Sequence, residues 1–269
     1  MIHTGSNSQI KSVAVIPARY SATRLPGKPL LEIAGKPLIV WVAERARAAS
    51  TISRTIVATD DPRIVDAVNA AGFDAVITRA DHKTGTDRIA EVGHNIRADI
   101  IVNVQGDEPL INPETIDRAV NALIEDPGAQ MATTWEAITD DADSTNPSVV
   151  KVTFDENNYA TNFSRNPISN QAVEKSGSHE SSPDKSGLLF SVKKHTGLYA
   201  YRRDFLLAFA RWPQSDNERK ESLEQLRALD RGVKIKVVEA ASPSIGVDTL
   251  EDLERVREIV KLETSSAAV

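Results

Sequence analysis

The chain has no cysteine. That excludes disulfides, thiolate metal sites and a catalytic thiol, and it fits a reducing compartment. It also has no excess of positive charge: 32 basic residues face 38 acidic ones, a net charge of −6. No general basic field therefore exists to hold DNA or RNA, and any phosphate binding must come from a local cluster. No uninterrupted apolar run approaches membrane-spanning length. The opening Met1–Ser8 stretch is polar and lacks the apolar core of a signal peptide. The expectation is a cytoplasmic protein with neither nucleic acid nor membrane as partner. Two nucleotide-binding signatures are missing as well, the Gly-x4-Gly-Lys-Ser/Thr loop and the Gly-x-Gly-x-x-Gly fingerprint. The second absence disfavours a dehydrogenase.

The 269 residues, 41% hydrophobic and 26% charged, suffice for one large α/β domain or one with an inserted lobe. Apolar β-branched runs at Ser12–Pro17, Thr55–Thr59, Ala75–Ile77, Ile100–Val104 and Met131–Thr134 read as strands. Helix-period segments lie between them at Leu38–Ala49, Pro62–Ala71, Asp87–Arg97 and Pro113–Glu125. That alternation implies βαβ units and a mostly parallel sheet. Asp61, Pro62 and Gly72 punctuate one helix as cap, first turn and stop.

After about residue 146 the rhythm changes. Val149–Phe154 and Tyr159–Phe163 flank Asp155–Asn158 as a hairpin, and Asn166–Gly187, with six serines, reads as a mobile loop. A strand at Ser191–Tyr201, a charged helix at Asn217–Asp230, a strand at Lys234–Val238 and an amphipathic helix at Thr249–Val260 follow. The expected organisation is a core of residues 12–146 and 234–262 with a β-rich lobe at 147–233. Flexible ends are expected at 1–11 and 263–269.

The strand Val13–Ile16 empties into a loop carrying Arg19, Arg24 and Lys28. Ligands of open α/β sheets bind beyond the carboxyl ends of strands, and forked arginines match phosphate oxygens. The cluster points to a polyanion, best a nucleoside triphosphate. A second strand delivers Asn103-Val104-Gln105-Gly106-Asp107-Glu108-Pro109, with Gly106 placed to allow a sharp turn. Mg²⁺ takes one or two carboxylates plus substrate phosphates, which makes Asp107 a metal-ligand candidate; Glu108 stays undecided. In Gly246-Val247-Asp248-Thr249, Asp248 either supplies a second carboxylate or joins Thr249 in capping the last helix with Glu251 or Asp252. Spacing does not choose. Thr84-Gly85-Thr86 could bond a base or phosphate at a helix start, with Arg79 and His82 upstream, or Thr86 could simply cap. Asp60 reads from the residues alone as structural, and His195, Tyr199, Tyr201, Glu224 and Gln225 read either as structural or as a group that could bind a polyhydroxylated acid.

Taken together, these motifs resemble the 3-deoxy-manno-octulosonate (KDO) cytidylyltransferases. The likeness runs through Ile16–Tyr20, Thr23–Leu30, Gly35–Ile39, Val57–Asp60, Thr78–His82, Thr84–Thr86, Asn103–Pro109, Phe163–Arg165, His195–Tyr201, Leu223–Arg227 and Gly246–Thr249, in order from about Ser12 to Val260. It implies a Rossmann-like fold of the nucleotide-diphospho-sugar transferase type, a homodimer, Mg²⁺, and cytidylyl transfer from CTP to an acid sugar. By resemblance, Ala18, Arg19, Arg24, Lys28, Arg79, Thr84, Gly85 and Thr86 would contact CTP. Asp107 and Asp248 would ligate magnesium. Gln105, His195, Tyr201, Glu224 and Gln225 would surround the sugar acid, and Arg19, Lys28, Asp107 and Asp248 would carry the chemistry. The chain departs from the family after Ser164-Arg165, where Asn166-Pro167-Ile168 replaces the usual Ile-Pro pair. Related readings are a cytidylyltransferase for 8-amino-KDO or a sialic acid and, from another class, a non-catalytic nucleotide-binding subunit. A glycosyltransferase would carry an Asp-x-Asp motif, which Asp107-Glu108-Pro109 is not.

Overall fold

Strand β1 (Ser12–Ala18) alternates Ala14, Ile16 and Ala18 on one face with Val13 and Val15 on the other, all buried. A strand apolar on both faces has to be covered by helices on both sides. The computed structural model, which describes residues 10–21, 25–168 and 192–266 (side chains to 263), has this layering. The main path of its sheet is β11 (Ile235–Glu239), β7 (Met131–Glu136), β10 (Lys193–Arg202), β6 (Ile100–Asn103), β1, β4 (Ile52–Thr59) and β5 (Asp74–Ile77). All neighbours are parallel except β10, which is antiparallel to β6 and β7. Helices α1 (Leu38–Ala48), α2 (Pro62–Ala70), α4 (Pro113–Glu125) and α9 (Leu250–Ser266) cover one face. Helices α3 (Gly85–Asn95), α6 (Arg203–Phe209) and α8 (Gln225–Leu229) cover the other.

The expected punctuation is present. Asp61 caps α2 by accepting from the Arg63 N–H at 2.9 Å, and Asn112 caps α4 through Glu114 N–H at the same distance. Gly72 follows α2 at φ +76°. The hairpin β8 (Lys151–Phe154) and β9 (Ala160–Ser164) is closed by Asp155, which accepts from Asn157 and Tyr159 N–H at 2.9 Å each. A small hairpin, β2 (Glu32–Ile33) and β3 (Lys36–Pro37), turns at Ala34 and Gly35, both at positive φ.

Three boundaries differ from the sequence reading. β10, assigned to the 147–233 lobe, is a central strand, because Leu198 and Ala200 face one core and Tyr201 the other. The helix expected at 217–230 is two, α7 (Asp216–Glu221) and α8, broken at Ser222 in the left-handed region (φ +54°). That break lets Arg227 fold back onto Glu218, with N···O distances of 2.7 and 2.5 Å. Helix α9 continues to Ser266, into the segment expected to be a loose tail. Helix α6 and the short α5 (Asp141–Thr145) were not anticipated. Residues 1–9, 169–187 of the serine-rich loop, and 267–269 lie outside the described residues.

Candidate active site

The parallel order brings the carboxyl ends of β1 and β6 side by side. They meet so closely that a Cβ on Gly106 would lie 2.6 Å from the Pro17 carbonyl oxygen. Gly106 sits in the expected turn, and contact between the two strand ends is what requires a glycine there. Beyond β1, Gly27, at φ +72°, donates its N–H to the Tyr20 carbonyl at 2.9 Å. That closure delivers Lys28 to the mouth of a cleft of about 400 Å³ whose wall includes Ala18, Arg19, Lys28, Gln105, Asp107 and Asp248. Six expected residues therefore share one site. Arg24 lies outside the described residues.

Lys28 is the electrostatic centre of this cleft. Its Nζ lies 2.8 Å from Asp107 Oδ2, 3.3 Å from Asp248 Oδ1 and 2.8 Å from the Val247 carbonyl oxygen. A second tie, Val247 N–H to the Asp107 carbonyl at 2.8 Å, fixes the two acid-bearing loops together. Asp248 thus reaches the site while its neighbour Thr249 caps α9 with Asp252 as partner (Asp252 N–H to Thr249 Oγ1 3.2 Å, Thr249 N–H to Asp252 Oδ2 2.8 Å). The capping role weighed for that stretch is filled by Thr249 and Asp252, with the Asp248 N–H also donating to Asp252 Oδ2 at 3.0 Å, while the Asp248 carboxylate points to Lys28. The two carboxylates already converge on one cation, and among the described residues no cluster of three or more His, Cys, Asp or Glu forms a closed metal cage. An oxygen-only, two-carboxylate donor set suits Mg²⁺ that draws its remaining ligands from phosphate and water.

Arg19 projects from the end of β1 across to the β5–α3 loop, where its Nη2 donates to the His82 carbonyl oxygen. Thr84, and not Thr86, caps α3, in a capping box with Asp87. Both threonine hydroxyls donate to one carboxylate, Thr84 to Glu224 Oε1 at 3.3 Å and Thr86 to Glu224 Oε2 at 2.5 Å. Residues assigned to opposite substrates are thus in direct contact. Burial raises the Glu224 carboxyl above the usual range despite the Thr86 bond and nearby Arg227. Arg79 is apart from this group: it pairs with Asp81 at 3.0 Å and lines a neighbouring surface hollow.

Gln105 connects the cleft to β10, its Nε2 donating to the Gly197 carbonyl at 3.1 Å. Gly197 sits where the β10–β7 register shifts, a bulge that re-aims neighbouring side chains. His195 is 8% exposed, edge-on to Phe163, with Nε2 2.8 Å from Thr133 Oγ1. The Thr133 hydroxyl has a single proton and a carbonyl acceptor, Leu198 O, at 2.8 Å. The imidazole must therefore donate through Nε2–H. Burial lowers its pKa to about 3, so the ring is neutral. Tyr199 O–H donates to Gln225 Oε1 at 3.2 Å, and Gln225 Nε2 is a buried donor with no partner among the described residues. Such an orphan is rare in a folded protein and marks a place for a ligand acceptor or water.

Tyr201 requires correction. It is 1% exposed and stacked with Phe205 and Phe209, so it belongs to the core beneath the site and not to the sugar-facing wall. Glu108 turns away from Lys28 into a separate cavity of about 20 Å³ shared with Glu136, room for one water. Burial raises its carboxyl. Asp60 faces fully buried Arg88 at 3.4 Å, a structural pair. The sequence reading missed Arg227, whose bidentate bond to Glu218 and 3.4 Å approach to Glu224 hold that carboxylate. The i, i+3 spacing of Glu224 and Arg227 was the available signal.

A family model described as Cytidylyltransferase matches residues 13–235. A 3-deoxy-manno-octulosonate cytidylyltransferase of Trichlorobacter lovleyi is 49% identical over 249 residues, 93% of this chain and 98% of that protein. One of the same name from Escherichia coli is 44% identical over 258 residues, 96% and 99% of the two chains. Among solved structures, CMP:2-keto-3-deoxy-manno-octonic acid synthetase complexed with CTP matches with a TM-score of 0.83 at 44% identity, covering 94% of this chain and 99% of that one.

Proposed function

The chain belongs to the 3-deoxy-manno-octulosonate cytidylyltransferase family and transfers a cytidylyl group from CTP to KDO, giving CMP-KDO and pyrophosphate, and we propose that the Lys28–Asp107–Asp248 cleft carries the reaction. The observation behind this is the convergence of both carboxylates and the Val247 carbonyl on Lys28 Nζ at the mouth of a strand-end cleft.

In this account Arg19, Lys28 and Arg24 bind the triphosphate and Thr84–Thr86 the cytidine, with Arg79 at its margin. The anomeric hydroxyl of the sugar attacks the α-phosphorus, and the bond to the β-phosphate oxygen breaks in line as pyrophosphate leaves. Arg19 and Lys28 would meet the negative charge growing on the departing group, which is where fixed donors lower a barrier most. Asp107 and Asp248 would hold Mg²⁺, which when bound neutralises phosphate charge and acidifies the attacking hydroxyl. Gln105 and Gln225 orient the acceptor from the β10 side. Neutral His195 serves as a hydrogen-bonding group there and not as an acid. Glu224 bonds to both Thr84 and Thr86, so it joins the two substrate halves.

The reading extends to a homodimer working in the cytoplasm, supplying activated KDO for lipopolysaccharide assembly. No helix among the described residues is long and apolar enough to cross a membrane. A pyrophosphate-release assay with CTP, UTP and ATP against KDO, 8-amino-KDO and a sialic acid tests the reading. Turnover confined to CTP, with KDO as best acceptor, is expected. Preference for another acid moves the assignment within the family, and no turnover with any acid rejects it.

A further inference from the structure

We propose that Glu91 is a positioning residue for the triphosphate end of the cleft, fixing the Arg79–His82 loop and, through that loop, the guanidinium of Arg19. The inference rests on Arg19 being a triphosphate contact.

Glu91 lies on α3, one turn beyond Asp87 on the same side of the helix. Its Oε2 accepts the Arg79 backbone N–H at 3.3 Å and also contacts His82 Nε2. One carboxylate thereby holds the loop at both ends of its four residues. The capping box at Thr84 and Asp87 holds the chain just beyond. His82 in turn offers its carbonyl oxygen to Arg19 Nη2. The path from Glu91 to Arg19 is two polar contacts and one residue of backbone.

The arrangement differs from an ordinary surface ion pair, which contributes little. The His82 side chain is only 7% exposed, and Glu91 is about a third exposed at 32%. Burial alone would raise the Glu91 carboxyl, yet the bonds from His82 and Arg79 outweigh it and hold the group below its usual range. An arginine side chain has many rotamers to lose on binding, and a guanidinium parked on a fixed carbonyl at the rim of the cleft has already lost part of that freedom before substrate arrives. Asp107 and Asp248 play no part in this tether, so it acts on the phosphate end and not on the acceptor.

The test is steady-state kinetics of Glu91→Ala and Glu91→Gln, with KM for CTP and for KDO measured separately and folding followed by thermal melting. Glu91→Ala should raise KM for CTP and lower kcat, together about five-fold or more in kcat/KM for CTP, the worth of one lost hydrogen bond, while KM for KDO stays within about two-fold. Glutamine keeps an acceptor oxygen and should restore most of the CTP affinity. An unchanged kcat/KM for CTP, an equal rise in KM for both substrates, or a glutamine variant as impaired as alanine overturns the proposal. Should Glu91→Ala fail to fold, Glu91→Asp, one methylene short of its two partners, is read by the same criteria. Absence of turnover in the wild-type enzyme would instead reject the underlying functional reading.

Discussion

Lys28 Nζ lies 2.8 Å from Asp107 Oδ2, a residue 79 positions further along the chain, and the same ammonium reaches Asp248 at 3.3 Å from 220 positions away. The ammonium separates two carboxylates that would otherwise repel each other across the cleft. Lys28→Met should lower kcat/KM for CTP by ~10²–10³, the scale of losing one fixed charge-stabilising group. Because Asp107 and Asp248 are 32% and 46% exposed, water can screen them and melting should move little. Kinetics and a thermal melt on one preparation check both statements.

Gly106 admits no side chain. A Cβ there would stand 2.6 Å from the Pro17 carbonyl oxygen, a backbone atom that cannot swing away. Gly106→Ala should destabilise the fold by about 1–3 kcal/mol as the β1 and β6 ends are forced apart. A displacement of Asp107 by even ~1 Å should reduce turnover about 10²-fold. Urea unfolding and the pyrophosphate assay measure the two effects; wild-type values in both would show that the strand ends part freely.

Neutral His195 should make the fold acid-sensitive. In the unfolded chain the imidazole takes up a proton below about 6.5, whereas in the fold its pKa is about 3. Between those values the unfolded chain binds the extra proton, so stability falls as pH falls through the window, by at most ~1.4 kcal/mol per pH unit from this group. His195→Gln, which keeps a donor for Thr133, should flatten that slope in urea titrations between about pH 6.5 and 4. An unchanged slope would mean the ring is solvated and titrates normally.

The Glu218–Arg227 pair is 4% exposed on both sides. Removing one member, as in Glu218→Leu, should cost about 3–5 kcal/mol by stranding a buried guanidinium. It should also loosen Glu224, which Arg227 approaches at 3.4 Å, and so raise KM for KDO. Denaturant melts and KM for KDO report the two parts.

How much of this was legible follows from which interactions are local. The apolar run of β1 and the cap at Asp61 are properties of neighbouring residues, and they appear in the structure at the expected positions. The meeting of Arg19, Lys28 and Asp107 in one cleft was legible because strand ends converge in parallel sheets. Meetings across long sequence separations were not. Nothing in the spacing of Thr86 and Glu224 announces a 2.5 Å contact over 138 residues. Tyr201 was misplaced because a polar aromatic beside a candidate site looks the same in sequence whether its ring faces ligand or, as here, stacks with Phe205 and Phe209. The lobe boundary failed because β10 enters the central sheet antiparallel, and only the burial of both its faces betrays this.

Under the proposed function, the two carboxylates gathered around Lys28 serve cytidylyl transfer with magnesium. Its most direct test is turnover of Asp107→Asn at saturating CTP, KDO and Mg²⁺, a change that keeps the side-chain shape and removes the charge. A fall in kcat of ~10² or more is expected, with the thermal melt little changed. Near-normal turnover by a folded Asp107→Asn enzyme would contradict it.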